Sequence, residues 1–92
     1  MSRLQKLLRI ALTEKGIKSS YELLPWRIVY VHHNWDTSFV LYLLNKPIVR
    51  GSISDKTFTV LSTDPDTINK IVQDFAVILP KYKSKPFSGG AI

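Results

Sequence analysis

The sequence predicts an α+β fold: a helix, a four-stranded antiparallel meander and a second helix, in two layers with both helices on one sheet face. Three features predict it. Apolar residues recur at helical spacing near the start, alternate with a period of two in the middle, and return to helical spacing after Asp64. A chain of 92 residues has room for one core. We therefore expect a single domain over residues 1–80 and a flexible basic tail over residues 81–92.

The first helix should begin near the start of the chain, with Ser2 as its N-cap and Gly16 beyond its end. Its other face carries basic residues. Between Ser19 and Pro25 the spacing of Ser19 and Glu22 is typical of a capping box, and we expect at most one short helical turn there. The apolar positions that predict the first helix are Leu4, Leu7, Leu8, Ala11 and Leu12.

Alternation begins at Trp26 and predicts strands over residues 26–33, 37–44, 48–53 and 57–61, with Gly51 marking a bulge. From Phe39 to Leu44 the only polar side-chain group is the hydroxyl of Tyr42. An open sheet face normally alternates polar residues, so we expect this face to need a cover. The simplest cover for a small chain is a second copy, which predicts a homodimer.

The second helix has a strong start signal in Asp64, Pro65 and Asp66, which supply an N-cap, a proline at the first helical position and an acid in the first turn. Pro80 ends its apolar pattern, and the remaining residues have no periodic apolar face. The apolar positions of this helix are Ile68, Ile71, Val72, Phe75 and Leu79.

No catalytic residue, metal site, cofactor or small-molecule substrate is predicted. The adjacent His32 and His33 point to opposite faces of a strand, and the chain has no cysteine, which favours an intracellular location. The longest uncharged run, from Thr37 to Asn45, is too short to span a bilayer, and the start is a poor match to a secretion signal. We expect neither an enzyme nor a membrane protein.

Charge and aromatic content indicate nucleic-acid binding. The formal net charge is +6, which attracts polyanions, although charges of this size also serve solubility alone. Binding of unpaired bases needs cations for phosphates and rings for stacking. The predicted phosphate contacts are Arg27, Lys46, Arg50 and Lys56, and the predicted stacking residues are Trp26, Tyr30 and Tyr42. The tail adds Lys81, Tyr82, Lys83, Lys85 and Phe87.

Single strands are favoured over duplex DNA because the second helix begins with Asp64 and Asp66, which would repel phosphates in a groove. The alternative is a structural or adaptor module whose uncovered sheet binds another protein.

The element order resembles that of the small single-stranded-DNA-binding proteins of hyperthermophilic archaea and their rod-shaped viruses. The resemblance covers residues 1 to about 80, with a leading helix that ends in Lys15-Gly16-Ile17-Lys18 and a closing helix after Thr63-Asp64-Pro65-Asp66. It implies a dimer that binds unpaired DNA through a basic groove without sequence preference.

Overall fold

The chain forms two helices and a six-stranded sheet whose strands lie in sequence order. This computed structural model describes residues 2–13, 20–32 and 37–86. Neighbouring strands are antiparallel, except that the last two are parallel. The α+β class is confirmed, but the sheet is larger than the predicted four-stranded antiparallel meander and is mixed. The elements are α1 (Arg3–Thr13), β1 (Ser20–Leu23), β2 (Trp26–His32), β3 (Thr37–Leu43), β4 (Lys46–Ser52), β5 (Thr57–Val60), α2 (Pro65–Ile78) and β6 (Lys83–Lys85).

Both helices begin where the sequence predicts, and side chains satisfy their first backbone N–H groups. Ser2 and Gln5 form a reciprocal capping box, with the Gln5 N–H donating to Ser2 Oγ at 3.1 Å and the Ser2 N–H donating to Gln5 Oε1 at 3.2 Å. At α2 the Asp64 carboxylate accepts from both the hydroxyl and the N–H of Thr67. These hydrogen bonds lower the pKa of Asp64. Across residues 2–13, 20–32 and 37–86, neither helix is long and apolar enough to cross a membrane.

Both helices pack on the same face of the sheet. In the register, Tyr30 of β2 pairs with Phe39 of β3, Phe39 pairs with Gly51 of β4, and Gly51 pairs with Phe58 of β5, so these four positions share one face. The Tyr30 hydroxyl donates to the Ala11 carbonyl in α1 at 2.6 Å. Phe58 stacks on Phe75 of α2 with ring centroids 3.9 Å apart. Each helix therefore buries its apolar stripe against this row.

Residues 20–23, where we expected at most a helical turn, form the edge strand β1. The capping-box spacing of Ser19 and Glu22 was misleading, because Tyr21 and Leu23 alternate onto the core side and Glu22 pairs with Arg27 of β2. Ser19 and Gly16 lie outside the described residues.

The expected flexible tail is wrong for residues 81–86. Tyr82 is 9% exposed and packs edge-on against Phe39, and Lys83–Lys85 then add β6 beside β5. Burial of one aromatic ring thus anchors a segment that has no apolar periodicity of its own. Residues 87–92 lie outside the described part of the chain.

The bulge predicted at Gly51 is found elsewhere. The register of β3 against β4 shifts between Leu41 and Tyr42, and Ile48 and Val49 of β4 are both buried. Gly51 instead lies against the ring of Phe39. A Cβ atom at this position would lie 2.4 Å from Phe39 Cζ and 2.6 Å from the Thr57 carbonyl oxygen.

Candidate nucleic-acid interface

The sheet face opposite the helices, called here the open face, has no described element packed over it. Its members follow from the register, because paired residues and every second residue along a strand share a face. The row through the middle of the sheet runs from Ser20 across β2 to β6. The open face comprises Ser20, Glu22, Arg27, Val29, Val31, Ser38, Val40, Tyr42, Pro47, Arg50, Ser52, Thr57, Thr59, Lys83 and Lys85.

The open face divides into an apolar half and a cationic half. Val29 and Val40 pair directly across β2 and β3, with Val31 beside them. On β4 to β6 the side chains are instead hydroxyls and cations. One row of paired residues crosses both halves: Val40 pairs with Arg50, Arg50 pairs with Thr59, and Thr59 pairs with Lys85. The apolar surface on the open face is limited to β2 and β3. It is smaller than the run from Phe39 to Leu44 suggested, because Phe39, Leu41 and Leu43 point to the helices.

An arginine lies over a tyrosine ring at the end of the apolar half. Arg27 and Tyr42 are partners in the β2–β3 register, and the guanidinium carbon is 5.1 Å from the ring centroid. Both side chains are half-buried. A guanidinium over a ring can still donate N–H groups to phosphate, and a ring and a guanidinium both offer flat surfaces to a base. Glu22, the β1 partner of Arg27, is the carboxylate nearest in the register.

The open face has a net positive charge. It carries the cations Arg27, Arg50, Lys83 and Lys85 against one carboxylate, Glu22. The helix side is also cationic, because Lys56 and Lys81 lie beside the helix layer and add to its charge. From β2 to β6 the cations extend over four strand spacings, about 19 Å. The charged residues of the helix layer are Arg3, Lys6, Arg9, Lys70, Asp64, Asp66 and Asp74.

Lys83 and Lys85 also have a structural explanation. They flank a three-residue strand at the edge of the sheet, where lysines discourage pairing with other chains. The charge of Arg50, on an interior strand, does not have that explanation.

Two predicted stacking residues are core residues, so that part of the prediction is wrong. Tyr30 is 6% exposed on the helix side, and desolvation raises the pKa of its phenol. Burial likewise raises the pKa of Tyr82, whose ring packs against Phe39 and Phe75. Neither ring is available to stack on a base.

The third predicted ring, Trp26, is half-buried on the helix side and packs against the core, so it does not share a face with Tyr42. Phe87 lies outside the described residues. Of the aromatic residues predicted to bind bases, Tyr42 alone is placed on the open face among those that the structure describes.

The remaining predicted lysines lie at the ends of the sheet. Lys46 is exposed at the start of β4. Lys56, in the turn before β5, accepts the N–H of Lys83 on its carbonyl oxygen at 2.9 Å. Lys56 and Lys81 come together on a cleft of about 300 Å³ that Leu12 and Ile78 also line, which places them beside the helix layer.

The three valines and the threonines of the open face were not predicted as site residues. The alternation along residues 27–31 placed Val29 and Val31 on the face of Arg27, but strands favour valine in any setting, so the pattern did not single them out. Thr57 and Thr59 are assigned to the open face only by the register of β5 with β4 and β6, which the sequence does not give.

Comparisons of the chain with protein-family models, curated proteins and solved structures gave no match. Among the described residues, no three His, Asp or Glu side chains are grouped as a metal site would require.

Proposed function

We propose that the chain binds single-stranded nucleic acid, DNA in the first instance, on the open face and without sequence preference. The observation that carries the proposal is that Arg27, Arg50, Lys83 and Lys85 extend across one face of the sheet that no described element covers. Such a cation track neutralises phosphates of any sequence. The role of the rings is narrower than the sequence predicted, since the stacking surface reduces to Tyr42 and the guanidinium of Arg27.

A single strand fits this face better than a duplex. A sheet surface of this kind presents no helix to a major groove, and the first turn of α2 carries Asp66 beside its N-cap Asp64. Unpaired bases can instead turn toward the Tyr42 ring while their phosphates lie along the cationic half.

The test is a fluorescence-anisotropy titration of a labelled oligonucleotide at several salt concentrations. Each phosphate contact to a single strand contributes about −0.7 to the slope of log K against log salt, so four cations give a slope of about −3. Arg50→Ala should reduce the slope to about −2 and weaken binding to all sequences alike. The matched control is Arg9→Ala, which removes the same charge from the exposed side of α1. A flat salt response, or equal losses in the two variants, would refute the open face as the site.

The ring is tested separately. Tyr42→Ala should weaken binding about 5- to 150-fold, the range for loss of one stacked base, whereas Tyr42→Phe keeps the ring and should bind nearly as the parent does. Thermal melts of both variants establish that the fold is retained. Equal binding by all three proteins would remove stacking from the proposal.

An adaptor role is the second candidate, and the adjoining Val29, Val31 and Val40 favour it. Under that proposal Val31→Ser weakens a protein contact, and oligonucleotides bind no better than heparin. A preference for single strands over heparin of equal charge would decide for nucleic acid.

A further inference from the structure

Two exposed leucines lie in neighbouring turns at one end of the sheet. Leu24 is in the turn between β1 and β2, and Leu44 is in the turn between β3 and β4. The Leu44 N–H donates to the Pro25 carbonyl at 3.2 Å, which ties the two turns together. Leu24 is 66% exposed and Leu44 is 75% exposed. Two turns joined by a backbone hydrogen bond thus each present a leucine to solvent.

The backbone makes a leucine at position 44 unexpected. Leu44 and Asn45 have φ values of 50° and 66°, so both central residues of this two-residue turn are left-handed. Such turns favour asparagine and glycine, and a large side chain is disfavoured there. Neither burial nor turn geometry therefore accounts for Leu44 within one subunit.

An apolar pocket opens at the same end of the molecule. Trp26 and Leu43, which line it, form the last β2–β3 pair before the two turns. Its volume is about 150 Å³, the size at which apolar cavities accept a benzene-sized group, so a leucine side chain fits. The full lining is Leu4, Trp26, Leu43, Ile48, Thr67, Lys70 and Ile71.

We propose that two copies of the chain associate through this end, each inserting Leu44 into the pocket of the other. Leu44 and the pocket lie next to each other on one copy, and a two-fold axis can pass between them. Rotation about that axis places the Leu44 of each copy opposite the pocket of the other, so both contacts form at once. Leu24, tied to Leu44 through the backbone, covers the rim. The inference is independent of the proposed nucleic-acid function.

The charges at this end suit a second copy. Lys70 lines the pocket, and the exposed Lys46 pairs with the lining Leu43. Asp64 is hydrogen-bonded to Thr67, which also lines the pocket. Cations and acids are thus mixed around the pocket, and the two-fold contact can pair opposite signs. The open face offers less balance, because two copies meeting there would set four cations and one carboxylate against the same set. A homodimer through the open face, the arrangement that the sequence suggested, is therefore disfavoured.

Sedimentation equilibrium from micromolar to millimolar concentration tests the contact. The parent should form a concentration-dependent dimer, and Leu44→Asn should raise its dissociation constant about tenfold or more, since two buried leucines are lost per dimer. The melting temperature of dilute Leu44→Asn should hold or rise, because asparagine accepts the left-handed turn. The matched control is Val77→Ser, which removes an apolar side chain 68% exposed on α2 and should leave association unchanged.

Three results would overturn the proposal: a parent that stays monomeric over the whole range, a Leu44→Asn variant that dimerises like the parent, or an equal loss in Val77→Ser. Trp26 provides a second readout. In a Trp35→Phe background its emission should shift to shorter wavelength as dimer forms, since the pocket loses water, and the shift should vanish with Leu44→Asn. A shift that survives that substitution also contradicts the proposal.

Nucleic-acid binding separates the two proposals. The Leu44→Asn variant keeps every cation of the open face and should retain the salt slope of the parent.

Discussion

Replacement of Gly51 by alanine tests how tightly the sheet packs beneath the helices. The added Cβ would lie 2.4 Å from Phe39 Cζ, 2.6 Å from Phe39 Cε1 and 2.6 Å from the Thr57 carbonyl oxygen. The Phe39 ring is fully buried and packs against Tyr82, and the carbonyl belongs to the neighbouring strand. Neither neighbour can withdraw by the ångström that ordinary contact requires without disturbing the core.

The expected cost follows from two opposing effects. Overpacking of a well-packed core costs about 1–3 kcal/mol, and contact on two sides places this site at the upper end. Alanine recovers about 0.5–1 kcal/mol, because glycine loses more backbone freedom on folding. The net loss in the free energy of unfolding should be about 2 kcal/mol, which lowers Tm by about 8–16 °C in a domain of this size.

Urea denaturation measures this loss, with an unchanged m-value as the sign that only stability has altered. The double variant Gly51→Ala with Phe39→Leu is the control, because leucine lacks the two ring atoms in conflict. The alanine should then cost less than in the parent, a coupling expected for residues in contact. A change in Tm below about 3 °C for Gly51→Ala would refute the close packing.

Two further substitutions test the N-cap of α2 and the segment that follows this helix. Tyr82→Ala should lower the free energy of unfolding by about 3 kcal/mol, because a buried ring is lost together with the anchor of β6. The control Lys83→Ala should change it by no more than about 0.5 kcal/mol. If calorimetry gave equal small effects for the two variants, residues 81–86 would be a flexible tail. Asp64→Ala should lower Tm at neutral pH through loss of the cap. Because the folded state lowers the pKa of Asp64, this contribution is present above the unfolded pKa of about 4 and is lost as the pH falls through the folded value. As the pH is lowered from 7, the Tm of the parent and the Tm of Asp64→Ala should converge. A difference in Tm that does not depend on pH would contradict the prediction.

Local signals placed most of the fold. The Asp64 cap and the proline after it fixed the start of α2, and Ser2 fixed the start of α1, because a cap depends on groups three residues away. Strand alternation gave β2 and β3 within a residue at each end.

The two edge strands were missed for a shared reason. β1 has four residues and β6 three, too few for a period to be read. Their formation depends on neighbours distant in sequence, as when Tyr82 fits against Phe39 and Phe75. A local sequence pattern does not indicate contacts between distant segments.

Four of the seven predicted cations lie on the open face, whereas Lys46, Lys56 and Lys81 do not, and Tyr42 is the one described ring among the predicted residues that does. Arg27 and Arg50 were singled out, and both lie on the open face. An aromatic residue in a strand, however, packs inward or outward with similar propensity, so composition could not separate the buried Tyr30 from the half-buried Tyr42.

The sequence by itself determined the α+β class, the helix starts, the alternation of the central strands and the excess of positive charge, because these depend on residue type and on spacing over a few positions. Tertiary structure decided which face each strand turns toward the helices, how the lysines of β6 join Arg50, and how two leucine turns meet beside a pocket. Those outcomes depend on register and on packing between distant segments, where a shift of one residue moves every side chain of a strand to the opposite face.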